Sequence, residues 1–441
     1  MSALISVTLT KKKKGSSSVF LVMVLGTMIT LALAFVSAAL RVGAIGYIDG
    51  VMNLSARSVL SEFDTHLKDD YGLFAFRGHK QEIISKMTDY LSYTLDHNKY
   101  MDLESVDANT AGYSLADIEI FEDELIEYTK YAIARGIIGD LPAAGGTGQA
   151  GDFSSGHGSW AQGGQYVNGA GGSHHYSYGS IDTEKEGRTL RNHKIIDQLP
   201  SGAHPGSGSI TDKINEVLEG TDNILLKGTD SYAVVQYIMH TFKNAQQGNE
   251  RDTFFNNEAE YIIEGEMSDL KNRKELRKDI ITVRNAVNFL FIWGNDKMRN
   301  EVMAAGELLG ADIGTLPMAL LISEGWALAE AENDMRLLEH GRKVPVYKTT
   351  DVWAIDIQSI IDNKESGYID TDPGSGLNYQ GYLQIFLFLE ERALRMSRIM
   401  DLIQINIQGK YDRSFLIKEH NMGFWVKAEA DGRDYIYDQK Y

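Results

Sequence analysis

The histidines come nearest to metal ligation in this sequence, in Gly156-His157-Gly158 and Ser173-His174-His175. Imidazole is a common ligand, but a working site needs ligands held by rigid supports. Both clusters lie in a glycine-rich stretch, so no metal-binding residue is assigned. Asp370-Thr371-Asp372-Pro373-Gly374 begins like a calcium loop. Such a loop needs a glutamate at its twelfth position, which here is Gly381, and Pro373 and Gly374 occupy early ligand slots. That stretch reads as a turn. The sequence has no HExxH, no GxSxG, no GxxxxGK[ST] and no cysteine. Serine, histidine and aspartate all occur, and carboxylates are abundant, but no spacing assembles them into a triad or a pair. Catalytic, cofactor-binding and metal residues are therefore none, no cofactor is implied, and the expected role is non-enzymatic.

The segment that organises the chain is Val19 to Leu40, 22 residues without a charge, preceded by Lys11, Lys12, Lys13 and Lys14. As a helix it spans roughly 33 Å, close to the ~30 Å apolar core of a bilayer. A helix is required because lipid satisfies no backbone polar group. The four lysines place the N-terminus in the cytoplasm and the residues after about 41 outside. A cleaved secretory signal is the rival reading, with Ser37-Ala38-Ala39 as small residues at the cut. The length of the apolar run and the helical pattern beyond it oppose that reading. Inside the membrane, Gly26, Ala32, Ala34, Ser37, Ala38 and Ala39 are candidate small residues for close helix packing.

The net charge is −18. Residues 42–441 hold 38 Lys/Arg against 61 Asp/Glu, a net of −23. Such a domain is repelled by nucleic acid and by anionic lipid, so nucleic acid is excluded as a partner. Without cysteine there is no disulfide framework.

Beyond Leu40 the helical spacing continues through Ile45, Ile48, Met52, Val59, Phe63 and Leu67 towards Gly72, which suits a helix end. An unbroken helix over about 17–70 is one expectation; a bend at Gly43, Gly46 and Gly50 is the other. Helices are expected at 81–97 and 115–135, with a polar strand or loop over 102–114. The acidic run Glu122-Asp123-Glu124 reads as a solvated face. Residues 142–180 contain twelve glycines, and low-complexity polar sequence extends to about 209, which is the composition of a flexible exposed segment. The segment reads first as a tolerated insertion; its aromatic residues Trp160, Tyr166, Tyr176 and Tyr178 are candidate recognition points in the alternative reading.

After 210, helices are expected around Tyr232–Phe242, Leu270–Trp293, Leu316–Leu338 and Tyr382–Ile405. Glu260-Tyr261-Ile262-Ile263 reads as a short strand. Strand composition returns at Phe415–Lys418, Phe424–Glu429 and Tyr435–Tyr437, with Asp431-Gly432 as a hairpin turn. The fold class is α+β: a transmembrane helix continuing into an amphipathic one, then a mainly helical external domain with a small antiparallel sheet. The boundaries are 1–18 leader, 19–40 transmembrane helix, 41–141 stalk and first external part, 142–209 flexible segment and 210–441 main external domain.

The basic leader followed by Gly15-Ser16-Ser17-Ser18-Val19-Phe20 and an apolar helix resembles the N-terminus of type IV pilin-like proteins, above all the pseudopilins of tight-adherence (Tad) pilus loci. The resemblance implies prepilin-peptidase cleavage between Gly15 and Ser16, and packing of the helix among pilin helices. The fifth mature position departs from the pilin pattern, with Phe20 where Glu is usual. The remainder resembles a family of Firmicutes membrane proteins of unknown function. The matching stretches are Asp70–Phe74, Glu260–Ile263, Arg284–Phe289, Val344–Lys348, Gly376–Tyr379 and Asp401–Gln404. The expected function is a pseudopilin-like or assembly component of a tight-adherence pilus or secretion system, partnered by the membrane and by other pilin-like proteins. The alternative is a membrane-tethered surface binding protein.

Overall fold

A computed structural model describes residues 16–95, 103–136, 138, 187–203, 224–246, 251–364, 367–371, 375–430 and 432–441. Lys11–Lys14, Gly15 and nearly all of the glycine-rich segment, with its histidines and aromatic residues, lie outside these. In chain order the first helices are α1 (Ser16–Leu60), α2 (Thr65–Tyr71), α3 (Lys80–Leu95), α4 (Ile118–Ala134), α5 (His193–Ile196) and α6 (Ile224–Thr241). They are followed by α7 (Glu258–Glu264), α8 (Asp269–Gly294), α9 (Asp296–Leu309), α10 (Thr315–Glu339), α11 (Ile357–Ile361), α12 (Tyr379–Leu389) and α13 (Arg392–Lys410). The strands are β1 (Phe76–Arg77), β2 (Leu103–Asn109), β3 (His420–Asn421), β4 (Gly423–Ala430) and β5 (Arg433–Lys440). The architecture is α+β, mostly helical, with a small antiparallel sheet and a long apolar N-terminal helix.

Two compact units share the chain, and neither is one continuous segment. The first contains residues 1–62, 78–111 and 423–441. In it the C-terminal part of α1 buries Ile48, Met52, Ala56 and Val59 on one face, as their spacing of three and four requires. That face packs on α3 and β5. The antiparallel sheet has the order β2-β4-β5. The β4–β5 hairpin turns at Gly432, whose φ of 66° suits a glycine. Along β4, Phe424, Val426, Ala428 and Ala430 are buried in strict alternation, so one sheet face is core. Tyr437 donates to Asp49 and Tyr441 to the Leu60 carbonyl, fastening β5 and the C-terminus to α1.

The second unit contains residues 63–77 and 112–422. Helix α13 is its hub: Leu394 to Gln408 are all buried, although many are polar. Each polar side chain there makes at least one hydrogen bond, which is what makes burial tolerable, although Arg395 Nε and Gln408 Oε1 make none. Arg398 Nη1 donates to the Ile262 carbonyl at 2.8 Å and also to the Ile263 carbonyl, with Nη2 on the Glu264 carbonyl at 3.2 Å. Asp401 accepts from Tyr261 Oη at 2.8 Å and from the Ser201 amide at 3.0 Å. Asn406 binds Glu258, Tyr71 Oη and the Phe254 amide. A second apolar cluster, around Trp326, Ile292 and Val302, lies among α8, α9 and α10.

Several local expectations are corrected. The expected helix over about 17–70 ends at Leu60 and restarts at α2, because Asp64 caps the restart by accepting from the His66 and Leu67 amides. Gly72, at φ 71°, closes α2, and α1 runs through Gly43, Gly46 and Gly50 without interruption. The Glu260–Ile263 run is helix, not strand. Gly265 ends it, while the distant Asp269 carboxylate accepts the Asn256 and Asn257 amides at its start. The expected helix over Tyr382–Ile405 is two helices, broken where Glu390 and Glu391 are extended. Ile417–Glu419 forms a 3-10 turn where a strand was expected, and α9 has no counterpart among the expected helices. The acidic run is not a solvated face throughout. Asp123 is exposed, but Glu122 is buried against Arg392 and Arg395, and burial pushes the half-buried Glu124 up to about 7.

Candidate functional site

Helix α1 is the one helix among the described residues long and apolar enough to cross a membrane. Its 45 residues extend about 67 Å at 1.5 Å per residue. The most apolar window is not buried by the rest of the protein: Val22, Phe35 and Leu40 are 68%, 69% and 70% exposed, in a helix that would otherwise present this surface to water. Ser16, the expected first residue after cleavage, is the first helical residue.

The candidate packing residues do not share one face. At about 100° per residue, Gly26, Ala34 and Ser37 fall within roughly 80° of one another, with Ala38 at their flank, whereas Ala32 and Ala39 lie on the opposite side. The Ala32–Ala39 side continues along the helix into Gly43, Gly46 and Gly50. A Cβ at any of those three glycines would meet no atom within 4 Å, so this side is unoccupied among the described residues. Tyr47 and Leu54 flank it and are 42% and 65% exposed.

In the second unit an open groove of about 290 Å³ lies between α6 and α12. Tyr232, Val235, Ile385, Phe388 and Leu389 line it, and Gln384 is its main polar side chain. It is a shallow apolar surface with none of the convergent charged groups of a catalytic pocket. Among the described residues, no three His, Asp or Glu side chains are placed to hold a metal ion. Asp370, from the calcium-loop-like stretch, pairs with Arg342 at 2.7 Å; residues 372–374 lie outside the described residues.

The six stretches that carried the second resemblance all lie inside this unit, and five of them touch one another, while the Asp70–Phe74 stretch is tied to α6. Tyr71 accepts at its carbonyl from Tyr237 Oη. Tyr379 donates to Glu260 at 2.9 Å, Tyr261 to Asp401, and Val344 bridges to Leu377. Arg284 donates through Nη1 to the carbonyls of Pro345 and Val346, at 3.0 and 2.7 Å. These contacts join segments more than 60 residues apart, apart from the Val344–Leu377 bridge, and the stretches are structural knots of the core.

At the last of these knots the protein concentrates buried charge. Arg284, Glu330, Asp334 and Lys348 are all nearly inaccessible, with Asn288 beside them. Asp334 Oδ2 accepts from Arg284 Nε at 3.0 Å and from Asn288 Nδ2 at 3.2 Å, and Arg284 Nη2 stands 2.9 Å away. Lys348 Nζ contacts Glu330 Oε1 and lies 2.5 Å from Asp334 Oδ1. The Oδ1 contact lacks the alignment of a hydrogen bond. Glu330 also accepts the Ala354 amide at 3.0 Å and the Ile355 amide at 2.8 Å. Burial raises the Glu330 pKa, and the Asp334 charge adds to this, against the opposing pull of Lys348. Trp353 covers the lysine with its ring centre 5.7 Å from Nζ. Two positive and two negative groups balance.

Sequence reasoning passed over this cluster. Its one local signal is Glu330 and Asp334 four apart on a helix, which places both on one face. Lys348, between exposed residues, gives no sign that its amine turns inward.

The chain belongs to DUF5702, a family of unknown function, which it matches over residues 183–432. No curated protein and no solved structure matches the chain.

Proposed function

We propose that this DUF5702 protein is a non-enzymatic structural component of the cell surface. Its α1 helix serves as both membrane anchor and association element, in the manner of a pseudopilin or a pilus-assembly factor. The observation that carries the reading is the form of α1. One uninterrupted helix presents a fully exposed apolar half and then supplies the core face of a folded unit. An anchor with no further task needs no rigid continuation into the domain. Such a helix couples whatever it packs against in the bilayer to the external unit. The tight-adherence assignment, with the N-terminus inside and the domains outside, rests on Lys11–Lys14, Gly15 and Ser16 alone.

The absence of cysteine makes the test direct. Single cysteines at Ala32, Ala34, Ser37 and Ala39 in the full chain, expressed in its own host, report helix neighbours by disulfide crosslinking. The reading expects crosslinks confined to one side of α1 and weakened only by the substitution on that side, Gly26→Leu for the Ala34–Ser37 side or Ala39→Leu for the Ala32–Ala39 side, with membrane insertion unchanged. Uniform or absent crosslinking would overturn it. An N-terminus at Ser16 in the membrane-derived protein supports pilin-type processing; one at Met1 or Ser2 leaves a permanent anchor.

The groove between α6 and α12 favours a second reading, a tethered surface binding protein. That reading expects function to survive replacement of residues 19–40 by an unrelated membrane helix, whereas the association reading expects its loss.

A further inference from the structure

The Lys348–Asp334–Glu330 cluster goes beyond the anchoring role, because its geometry is that of a reaction within the chain. We propose that Lys348 and Asp334 condense spontaneously to an intramolecular isopeptide bond, with Glu330 as the proton carrier. The nucleophile, electrophile and base are already in contact, and no diffusing partner is required. Nζ stands 2.5 Å from Oδ1, without a hydrogen bond to it, and also touches Glu330 Oε1. Fixed reacting groups of this kind have effective concentrations far beyond those in solution.

The chemistry balances without a cofactor. Glu330 takes a proton from the Lys348 ammonium, leaving a neutral amine. Glu330 passes that proton to Asp334 Oδ1, so the amine lone pair attacks a neutral carboxyl at Cγ, and the negative charge that develops collects on Oδ2. The N–H groups of Arg284 and Asn288 already point at Oδ2, as an oxyanion site requires. Glu330 then takes a proton from the attacking nitrogen and delivers it to the Oδ1 hydroxyl. The Cγ–Oδ1 bond breaks and one water leaves. An ammonium and a carboxylate become an amide and water, and Glu330 returns to its starting state. Burial of every participant protects the amine and favours expulsion of the water. The ring of Trp353 above Lys348, and Trp326, whose indole N–H is fixed on the Ile355 carbonyl at 2.7 Å, form the dry side of the site. Glu330 and Asp334 are one helical turn apart on α10, while Lys348 enters from the segment that follows. The bond therefore staples that segment to the helix.

Mass spectrometry of the full chain, extracted from membranes, tests this directly. The expected intact mass is lower than the sequence mass by one water, about 18 Da. Because loss of water has other sources, the decisive species is a branched tryptic peptide. In it, residues 300–336 are joined to residues 344–364, and cleavage after Lys348 is lost. Lys348→Arg keeps the charge but removes the amine nucleophile and should abolish the branched peptide. Glu330→Gln should abolish or greatly slow its formation while keeping the side-chain volume. Recovery of wild-type protein with full mass and ordinary cleavage at Lys348 would overturn the bond. A branched peptide persisting undiminished in Glu330→Gln would overturn the role of the glutamate. The wild-type readout does not depend on either variant folding.

Discussion

Glu260 gives the sharpest quantitative expectation. Its carboxyl is wholly buried in α7, accepting from the Ala245 amide at 2.8 Å and from Tyr379 Oη at 2.9 Å through Oε1, while Oε2 has no hydrogen bond. Burial raises its pKa from 4.5 to about 7, with the nearby Asp269 charge a lesser cause, against the opposing effect of the hydrogen bonds. In the unfolded chain the group titrates near its ordinary value, so between pH 4.5 and 7 the folded state holds a proton that the unfolded state has released. Stability must then fall as pH rises across that window, by about 1.4 kcal/mol per unit, and level off above 7. From pH 5.5 to 7.5 this one group removes about 2 kcal/mol. Glu260→Gln cannot ionise, so it should erase that part of the slope and make the protein more stable than wild type at pH 8. Hydrogen exchange at the amides of Tyr261, Ile262 and Ile263, in detergent-solubilised full chain from pH 5.5 to 8.5, isolates the effect. Comparing wild type with the variant cancels the parallel contribution of Asp401, raised to about 6. Equal pH slopes in the two proteins would refute the reasoning, as would a variant less stable than wild type at pH 8.

Two further expectations concern sites of close packing. Gly72→Ala places a methyl group in the Tyr128 ring at φ 71°, so left-handed strain and overlap together should cost about 3 kcal/mol, read as a lower urea midpoint of the second unit. Within the acidic run, Glu122→Ala removes the buried carboxylate that faces Arg392 and Arg395 and should destabilise by about 3 kcal/mol, whereas Asp123→Ala at the exposed neighbour should stay within about 0.5 kcal/mol. Equal effects at the two positions would mean that the run is solvated after all.

The positions of most helices were legible because local chemistry determines them. The charge-free run of α1, the period of α3, α4, α8 and α10, and the glycine that ends α2 all act over a few residues. The failures share a cause. Glu260-Tyr261-Ile262-Ile263 has the composition of a strand, and only Asp269 and Gly265 make it a helix. Asp64 breaks the long N-terminal helix through its own side chain, and it is further engaged by His420, about 350 residues away. Burial opposes the Asp64 charge, yet the His420 contact and the capping amides outweigh it and hold its pKa low. Glu122 looks solvated until Arg392 and Arg395 are brought to it by α13. The assignment of the last two strands to the same unit as α1 likewise depends on contacts across nearly the whole chain. At the candidate site, the long apolar helix was legible from composition alone, but the division of its small residues between two faces follows from rotation about the helix axis. The buried Arg284–Asp334–Lys348 cluster was not legible, since no spacing relates Lys348 to α10.

That cluster also carries an energetic argument for closing it covalently. Four ions in the interior are costly to desolvate even when paired, and apolar replacements of buried ion pairs are often at least as stable. Condensation of Lys348 with Asp334 removes one cation and one anion together and leaves Arg284 and Glu330 as a balanced pair. The site stays neutral while half of its buried charge disappears. The closed loop from 334 to 348 holds about 15 residues, for which a crosslink lowers unfolded-chain entropy by an amount worth about 3 kcal/mol. Lys348→Arg, unable to condense, should therefore lose at least that much, and its hydrogen exchange along α10 should accelerate on the order of 100-fold. Glu330→Gln should exchange as fast as Lys348→Arg if both merely lack the bond. Protection in either variant equal to that of wild type would mean that the wild-type loop is held by ion pairs alone.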